Sequence, residues 1–222
     1  MGVLVELVAY RPVRRKGTSM SALITAIAMS LLLENLAQAI PAMGPNPRVI
    51  SDEIFSTAPM SLGGVSVNMA AVITIVIAAV VMAALQIFVQ KTKLGRAMRA
   101  VSENKEASTL VGINVNRTIV TTFAIGSGLA AVAALMYCAQ YHTVTTTMGS
   151  MLGLKAFVAA VMGGIGLIPG AMLGGIVVGI IEALVTAYIS SSLANAVVFL
   201  ILIVMLLVKP AGILGKNVGE KV

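Results

Sequence analysis

Three ionisable side chains, Glu34, Lys155 and Glu182, lie inside long apolar stretches of the sequence. If these stretches cross a bilayer, an ionised side chain near its centre costs about 2.5 to 3.5 kcal/mol, so each should face protein or water. Two interpretations stay open. The charges, with Asn35 beside Glu34, could line a path for a polar solute, or they could pair between helices, and Lys155 could extend toward the headgroups. We therefore treat Glu34, Asn35 and Glu182 as candidates for a translocation path.

Residues for covalent or metal chemistry are scarce. The chain has one histidine, His142, and one cysteine, Cys138, and no aspartate in any long apolar stretch. Membrane-embedded enzymes usually need a serine near a histidine, paired aspartates or a cluster of metal ligands. We therefore expect no enzyme activity, no metal and no cofactor, and a single cysteine excludes an internal disulfide.

A glycine-rich stretch, "GGIGLIPGAMLGGIVVG", begins at Gly163. A phosphate-binding loop needs a Lys-Ser or Lys-Thr pair after its glycines, and none follows here. Small residues four positions apart instead allow membrane helices to approach closely. The sequence predicts helix packing for this set: Gly163, Gly164, Gly166, Gly170, Gly174, Gly175 and Gly179.

The composition indicates which elements must hold these residues. Of the 222 residues, 59% are hydrophobic and only 10% are charged, and the mean hydropathy is +1.02. Soluble domains carry about a quarter charged residues, so the sequence predicts an all-α, polytopic transmembrane helix bundle in a lipid bilayer. The net charge of +7 does not indicate nucleic acid, because the basic residues lie between apolar stretches without neighbouring aromatic residues.

About six stretches are predicted to span the bilayer, each needing about 20 helical residues. They are 21–40, 69–90, 118–141, 149–163, 170–189 and 194–208. The fourth is short and rich in glycine, which leaves a re-entrant segment as the alternative to a full crossing.

Basic residues predict the orientation, because they concentrate on the cytoplasmic side of a membrane protein. They cluster in three segments that we expect to be cytoplasmic: an N-terminal segment 1–20, a loop 91–117 and a tail 209–222. Two cytoplasmic termini require an even number of crossings, which favours six. We expect residues 1–222 to form a single transmembrane domain.

The loop 91–117 is long and polar for a connection between two spans. Leu94, Ala97, Met98 and Val101 recur at helical spacing and predict a surface helix. A second short helix is predicted to follow, with Asn104 as its N-cap, Glu106 in its first turn and Gly112 after its end. A solvated amphipathic loop without a partner is the alternative.

Several motifs carry a resemblance to a known family. The segment "NKEASTLVGINVNRT" resembles the conserved cytoplasmic loop of ATP-driven importer permeases, through Glu106-Ala107-Ser108, Gly112 and Ile113. "AYRPVR", "LGRAMRA", "LKAFVAAVMGGIGLIPGAMLGG" and "LVKPAGILG" follow the same family in order. Over nearly its whole length the chain is similar to branched-chain amino acid permeases of the LivH type, and it is N-terminally short relative to them.

This resemblance implies a permease of an ATP-binding-cassette importer in the bacterial plasma (inner) membrane, moving branched-chain or related amino acids inward. It implies separate ATPase subunits, a second LivM-like permease and an extracytoplasmic amino-acid-binding protein as partners. A permease for urea, amides or other amino acids, or a stand-alone ion-coupled carrier, is the alternative. The ATPase-coupling residues implied by the resemblance are Asn104, Glu106, Ala107, Ser108, Leu110, Gly112 and Ile113.

Overall fold

The computed structural model describes residues 1–16, 19–41, 44, 46–50, 60–62, 65–164, 166–209 and 211–215. The chain forms two compact units, Met1–Thr147 and Met148–Val222. Helices dominate both units, so the all-α prediction is confirmed. The expectation of a single domain over 1–222 stays an expectation.

The first unit begins with a continuous helical run. It consists of α1 (Gly2–Val5), a π-helical segment (Glu6–Tyr10) and α2 (Arg11–Lys16). The later helices of this unit are α3 (Ser19–Ala39), α4 (Met69–Lys91), α5 (Lys93–Glu103), α6 (Lys105–Leu110) and α7 (Val115–Tyr141).

Among the described residues of the first unit, four short strands form two ribbons. Strand β1 (Arg48–Val49) pairs antiparallel with β4 (Thr143–Val144), placing Arg48 opposite Val144. Strand β2 (Met60–Leu62) pairs antiparallel with β3 (Val65–Val67). The amide of Ile50 also donates to the carbonyl of His142, so the segments after α3 and after α7 are held together.

The second unit contains α8 (Met148–Gly163), α9 (Ile168–Tyr188) and α10 (Ser191–Val208). Its core consists of Val158, Ala159, Met162, Val178 and Val198, all buried. After α10, the amides of Ile213 and Leu214 donate to the carbonyls of Met162 and Gly163. The C-terminal segment therefore satisfies the carbonyls that the end of α8 leaves without a helical partner.

Four helices among the described residues are long and apolar enough to cross a membrane: α4, α7, α9 and α10. Two shorter apolar helices, Ile24–Ala39 and Met148–Gly163, occupy the positions of the first and fourth predicted spans. Most of the span boundaries lie close to those the sequence predicts. The polytopic helical architecture is confirmed, whereas the count of six crossings and the cytoplasmic termini stay predictions.

The N-terminal segment is more ordered than a cytoplasmic connection of 1–20 suggests, because residues 2–16 are helical. This run packs along the first half of α7. Gly2 lies against Phe123 and Ser127, and the ring centroids of Tyr10 and Phe123 are 5.1 Å apart. The sequence does not reveal this helix because its apolar part is too short to stand out as a span. The location of segment 1–20 relative to the membrane stays a prediction.

Candidate coupling site

Helix α6 is built by local hydrogen bonds at its N-terminus. The side chain of Asn104 accepts from the amide of Ala107 at 3.0 Å, and the Ser108 hydroxyl donates to the Asn104 carbonyl at 2.7 Å. Glu106 lies in the first turn, where a carboxylate is favourable beside the positive end of the helix dipole. The prediction of Asn104 as the N-cap is confirmed, and the same residue also ends α5.

The C-terminus of α6 is closed by a Schellman motif. The amide of Gly112 donates to the Thr109 carbonyl and the amide of Ile113 donates to the Ser108 carbonyl, both at 3.0 Å. Gly112 has φ +81°, a left-handed conformation that glycine adopts without strain. The prediction that Gly112 follows the helix end is confirmed, and this backbone geometry favours glycine at the position.

Capped helices on both sides hold α6 in place. The Thr92 hydroxyl caps α5 by accepting from the amide of Gly95, and the side chain of Asn114 caps α7 by accepting from the amide of Arg117, both at 3.0 Å. A Cβ atom at Gly95 would overlap the backbone of Phe88 and Val89, so glycine permits the tight step from α4 to α5. The short helix α6 is therefore connected directly to a capped helix on each side. We call residues 91–117 the coupling segment.

The outer end of the coupling segment is apolar and exposed. Leu110 is 88% exposed and Val111 is 75% exposed, whereas Ser108 is buried on the inner side. Ala107 and Glu106 are also exposed, and Ile113 is half-buried. Two large apolar side chains thus form an exposed projection at the tip of an otherwise polar segment.

The structure places the path candidates in different units. In α3, Glu34 is half-buried, and the side-chain amide of Asn35 donates through Nδ2 to the Leu31 carbonyl of its own helix at 2.7 Å. In the second unit, the Lys155 ammonium of α8 lies 2.6 Å from the Glu182 carboxylate of α9. This ion pair between helices is one of the two arrangements that the sequence leaves open for these charges.

The predicted packing glycines occupy several different environments. A Cβ atom at Gly163, Gly170 or Gly174 would overlap backbone atoms of the facing helix, so these three allow α8 and α9 to touch. Gly164 and Gly166 have positive φ angles of 110° and 92° in the connection between the helices. Among the described residues, a Cβ atom at Gly175 would meet only the Ala159 methyl, at 3.9 Å, and one at Gly179 would meet no atom within 4 Å.

Comparison with known proteins gives the family of this scaffold. A family model described as "Branched-chain amino acid transport system / permease component" matches residues 1–208. The chain belongs to this permease family. No solved structure matches it.

Similar permeases cover the whole chain. It is 43% identical over 229 residues to the high-affinity branched-chain amino acid transport system permease protein LivH of Escherichia coli K12, and 40% identical over 229 residues to BraD of Pseudomonas aeruginosa. Each match covers 100% of this chain and 72% of the relative. The xylose transport system permease protein XylH of Escherichia coli is 34% identical over 90 residues, covering 38% of this chain and 23% of the relative.

Family membership and the apolar helices together make the chain a multi-pass permease of the bacterial plasma (inner) membrane. The family is described as the permease component of a transport system, and the chain is accordingly a transport subunit.

One polar cluster was missed by the sequence analysis. Glu6 in the π-helical segment, Arg14 in α2 and Asn116 in the first turn of α7 are in contact. Arg14 is part of "AYRPVR", so its motif was noticed, but the sequence does not indicate that its partners are eight and 102 positions away.

Proposed function

We propose that this chain is the membrane-spanning permease subunit of an ATP-driven importer that moves branched-chain amino acids into the cytoplasm. The observation that carries the proposal is the full-length similarity to permeases with that role, 40% and 43% identical. The match to the xylose permease covers only 38% of the chain. A branched-chain amino acid is therefore favoured over a sugar, and urea, amides or other amino acids remain the alternative cargo within the family.

The proposed assembly has other members. Two ATPase subunits bind the cytoplasmic coupling segments, a second LivM-like permease completes the pathway, and an extracytoplasmic binding protein delivers the amino acid. Six crossings place both termini and the coupling segment on the cytoplasmic side. This arrangement is supported by the three clusters of basic residues.

The coupling segment is proposed to transmit force. Closure of the ATPases on ATP displaces α6, and the displacement passes to α7 because Asn114 caps that helix directly after the Schellman turn. Leu110 and Val111 form the apolar part of the contact. Asn104, Glu106, Ser108 and Gly112 keep the helix short, capped and stiff.

Within the membrane, Glu34, Asn35 and Glu182 stay proposed contributors to the path. Glu182 is held by Lys155, so a role in the path requires that a polar solute approach a charge already neutralised by a neighbour. Such an arrangement suits a pathway that must not bind its cargo tightly.

The experiment is reconstitution of the assembled importer in proteoliposomes, with uptake of labelled leucine and ATP hydrolysis measured together. Gly112→Val forces a β-branched residue into a left-handed conformation that costs about 1 to 2 kcal/mol, so we expect uptake per ATP to fall roughly 5- to 30-fold while membrane insertion is retained. Gly112→Asn is the matched control, because asparagine tolerates this conformation.

Normal leucine uptake by Gly112→Val would contradict the coupling role of this segment. Failure of the wild-type chain to co-purify with an ATPase would favour the stand-alone carrier.

A further inference from the structure

A chain of three polar side chains connects the N-terminal helical run to the coupling segment. Arg14 Nη2 lies 3.0 Å from Glu6 Oε1 and donates to Asn116 Oδ1, also at 3.0 Å. The Glu6 side chain is fully buried, the Arg14 side chain is 21% exposed, and Asn116 is at the surface. One guanidinium group therefore bridges a buried carboxylate and an exposed amide.

The π-helical segment helps to bring Glu6 and Arg14 together. In an uninterrupted α-helix, positions eight residues apart differ by about 80° around the helix axis. Residues 6–10 are wound more loosely, with the amide of Arg11 donating to the Glu6 carbonyl. Each residue of this segment rotates the chain about the helix axis by less than an α-helical residue does. The angular separation between Glu6 and Arg14 is therefore smaller, and both side chains reach one face of the helix. Single π-helical turns are frequent at functional sites.

Stability alone does not account for this arrangement. Neither carboxylate oxygen of Glu6 has a hydrogen-bond partner among the described residues, so the contact to Arg14 is an ion pair without good hydrogen-bond angles. A buried ion pair is often no more stabilising than apolar side chains of the same volume. An incompletely satisfied one is less favourable still, and its presence calls for another explanation.

The position of Asn116 supplies that explanation. Asn116 lies in the first turn of α7. It is two residues after Asn114, the N-cap of α7, which follows the α6 segment along the chain. Farther along the same two helices, Tyr10 packs on Phe123, and Gly2 lies against Ser127. The helical run 2–16 thus contacts α7 at several positions, and Arg14 makes the contact that lies within the coupling segment, at Asn116.

We propose that Arg14 is a positioning residue that joins the N-terminal helical run to the base of the coupling segment, so that displacement of α6 moves this run together with α7. The inference rests on the proposed function. It adds a second helix to the part of the permease that the ATPase moves. The buried carboxylate of Glu6 orients the Arg14 guanidinium, which donates a hydrogen bond to Asn116 at the start of α7.

The test uses the full importer in proteoliposomes, with leucine uptake, ATP hydrolysis and thermal unfolding measured on each variant. Arg14→Gln removes the bridge, whereas Arg14→Lys keeps the charge beside Glu6. Asn116→Ala removes only the exposed hydrogen bond and leaves the buried pair, and Asn116→Asp restores an acceptor. Arg48→Gln, an exposed arginine in strand β1, is the control for loss of one positive charge.

We expect Arg14→Gln and Asn116→Ala to lower uptake per ATP by roughly 2- to 30-fold, the range for substitutions along a coupled network, while the maximal rate of ATP hydrolysis is retained. Arg14→Lys and Asn116→Asp should recover part of this loss, and Arg48→Gln should match the wild type. If Arg14→Gln does not assemble, Asn116→Ala decides the question, because its bond is at the surface.

An unchanged ratio of uptake to hydrolysis in Asn116→Ala, with or without a lower unfolding temperature, would overturn the inference and leave Arg14 a purely structural residue. In that case the wild-type importer still couples hydrolysis to uptake, and the proposed function stands. Absence of coupled uptake in the wild type would instead overturn both.

Discussion

At the scale of single residues, the charges inside the apolar helices are the most informative. The sequence identifies Lys155 and Glu182 as needing protein or water, since lipid does not solvate them, but it leaves both a path and a pairing open. The structure brings their charged atoms to 2.6 Å across 27 positions of the chain. Pairing neutralises the charge and fixes α8 against α9.

Replacing one member of this pair should be worse than replacing both. Lys155→Met leaves the Glu182 carboxylate without its cation, and we expect a loss in the free energy of unfolding because an uncompensated charge between helices is destabilising. The double variant Lys155→Met with Glu182→Leu should recover most of that loss, as paired charges often exchange for apolar residues at little cost. Thermal unfolding in detergent measures this.

The same double variant also tests the path. A stable protein that has lost leucine uptake would show that the Lys155–Glu182 pair serves transport as well as packing. Retained uptake would show that the pair is structural.

At the scale of elements, α6 illustrates how a very short helix is maintained. Six residues are far below the length at which an isolated helix is stable in water, so α6 depends on its caps and on its fixed ends. Both caps involve residues within five positions of each other along the chain. This locality is the reason that Asn104 and Gly112 could be identified from the sequence.

Asn104→Ala should loosen α6 selectively. Loss of an N-cap costs about 1 kcal/mol, and in so short a helix we expect roughly fivefold faster hydrogen exchange at the amides of residues 107–111. Asn104→Asp should exchange like the wild type. Asn114→Ala is the matched control, because it removes the same kind of cap from the 27-residue helix α7, which packing also supports. Equal exchange in wild type and Asn104→Ala would contradict the dependence on the cap.

The close contact of α8 and α9 gives a second element-scale prediction. Gly174→Ala would place a methyl group into the backbone of Ala159, and overpacking of this kind costs about 1 to 3 kcal/mol. Gly179→Ala is the control, since no atom of the described part of the chain lies within 4 Å of the added carbon. We expect a lower unfolding temperature for the first variant and no decrease for the second. An unchanged unfolding temperature in Gly174→Ala would show that the helices do not approach at Gly174.

At the scale of the whole molecule, the side of the membrane on which each connection lies follows from charge rather than from packing. The basic residues of the coupling segment predict a cytoplasmic location for it. The ribbon of β1 and β4 follows the C-terminal ends of α3 and α7, whereas the coupling segment leads into the N-terminal end of α7. The coupling segment and the ribbon are therefore expected on opposite sides of the bilayer.

Cysteine labelling tests this expectation. In a Cys138→Ala background, Val49→Cys should react with a membrane-impermeant maleimide in intact spheroplasts, because Val49 is 81% exposed in the ribbon. Ser102→Cys, an exposed position of α5, should react only in inverted vesicles. Labelling of Ser102→Cys from outside would contradict the cytoplasmic coupling segment and with it the importer.

The sequence by itself determined the features that depend on composition and on neighbours along the chain. Apolar stretches long enough to span a bilayer predicted the helices. Caps at Asn104 and Gly112 predicted α6, and quoted motifs in order predicted the permease family. These features are local because hydropathy is summed over a window and a cap bonds within a few residues.

The tertiary structure decided the pairings between distant positions. It showed Lys155 with Glu182, the bridge from Glu6 through Arg14 to Asn116, the helical form of residues 2–16, and which glycines touch a neighbouring helix. None of these follows from a local pattern, because a side chain's partner across two helices depends on their rotation and register. The π-helical segment Glu6–Tyr10 changes that rotation, and no pattern in the sequence predicts this segment.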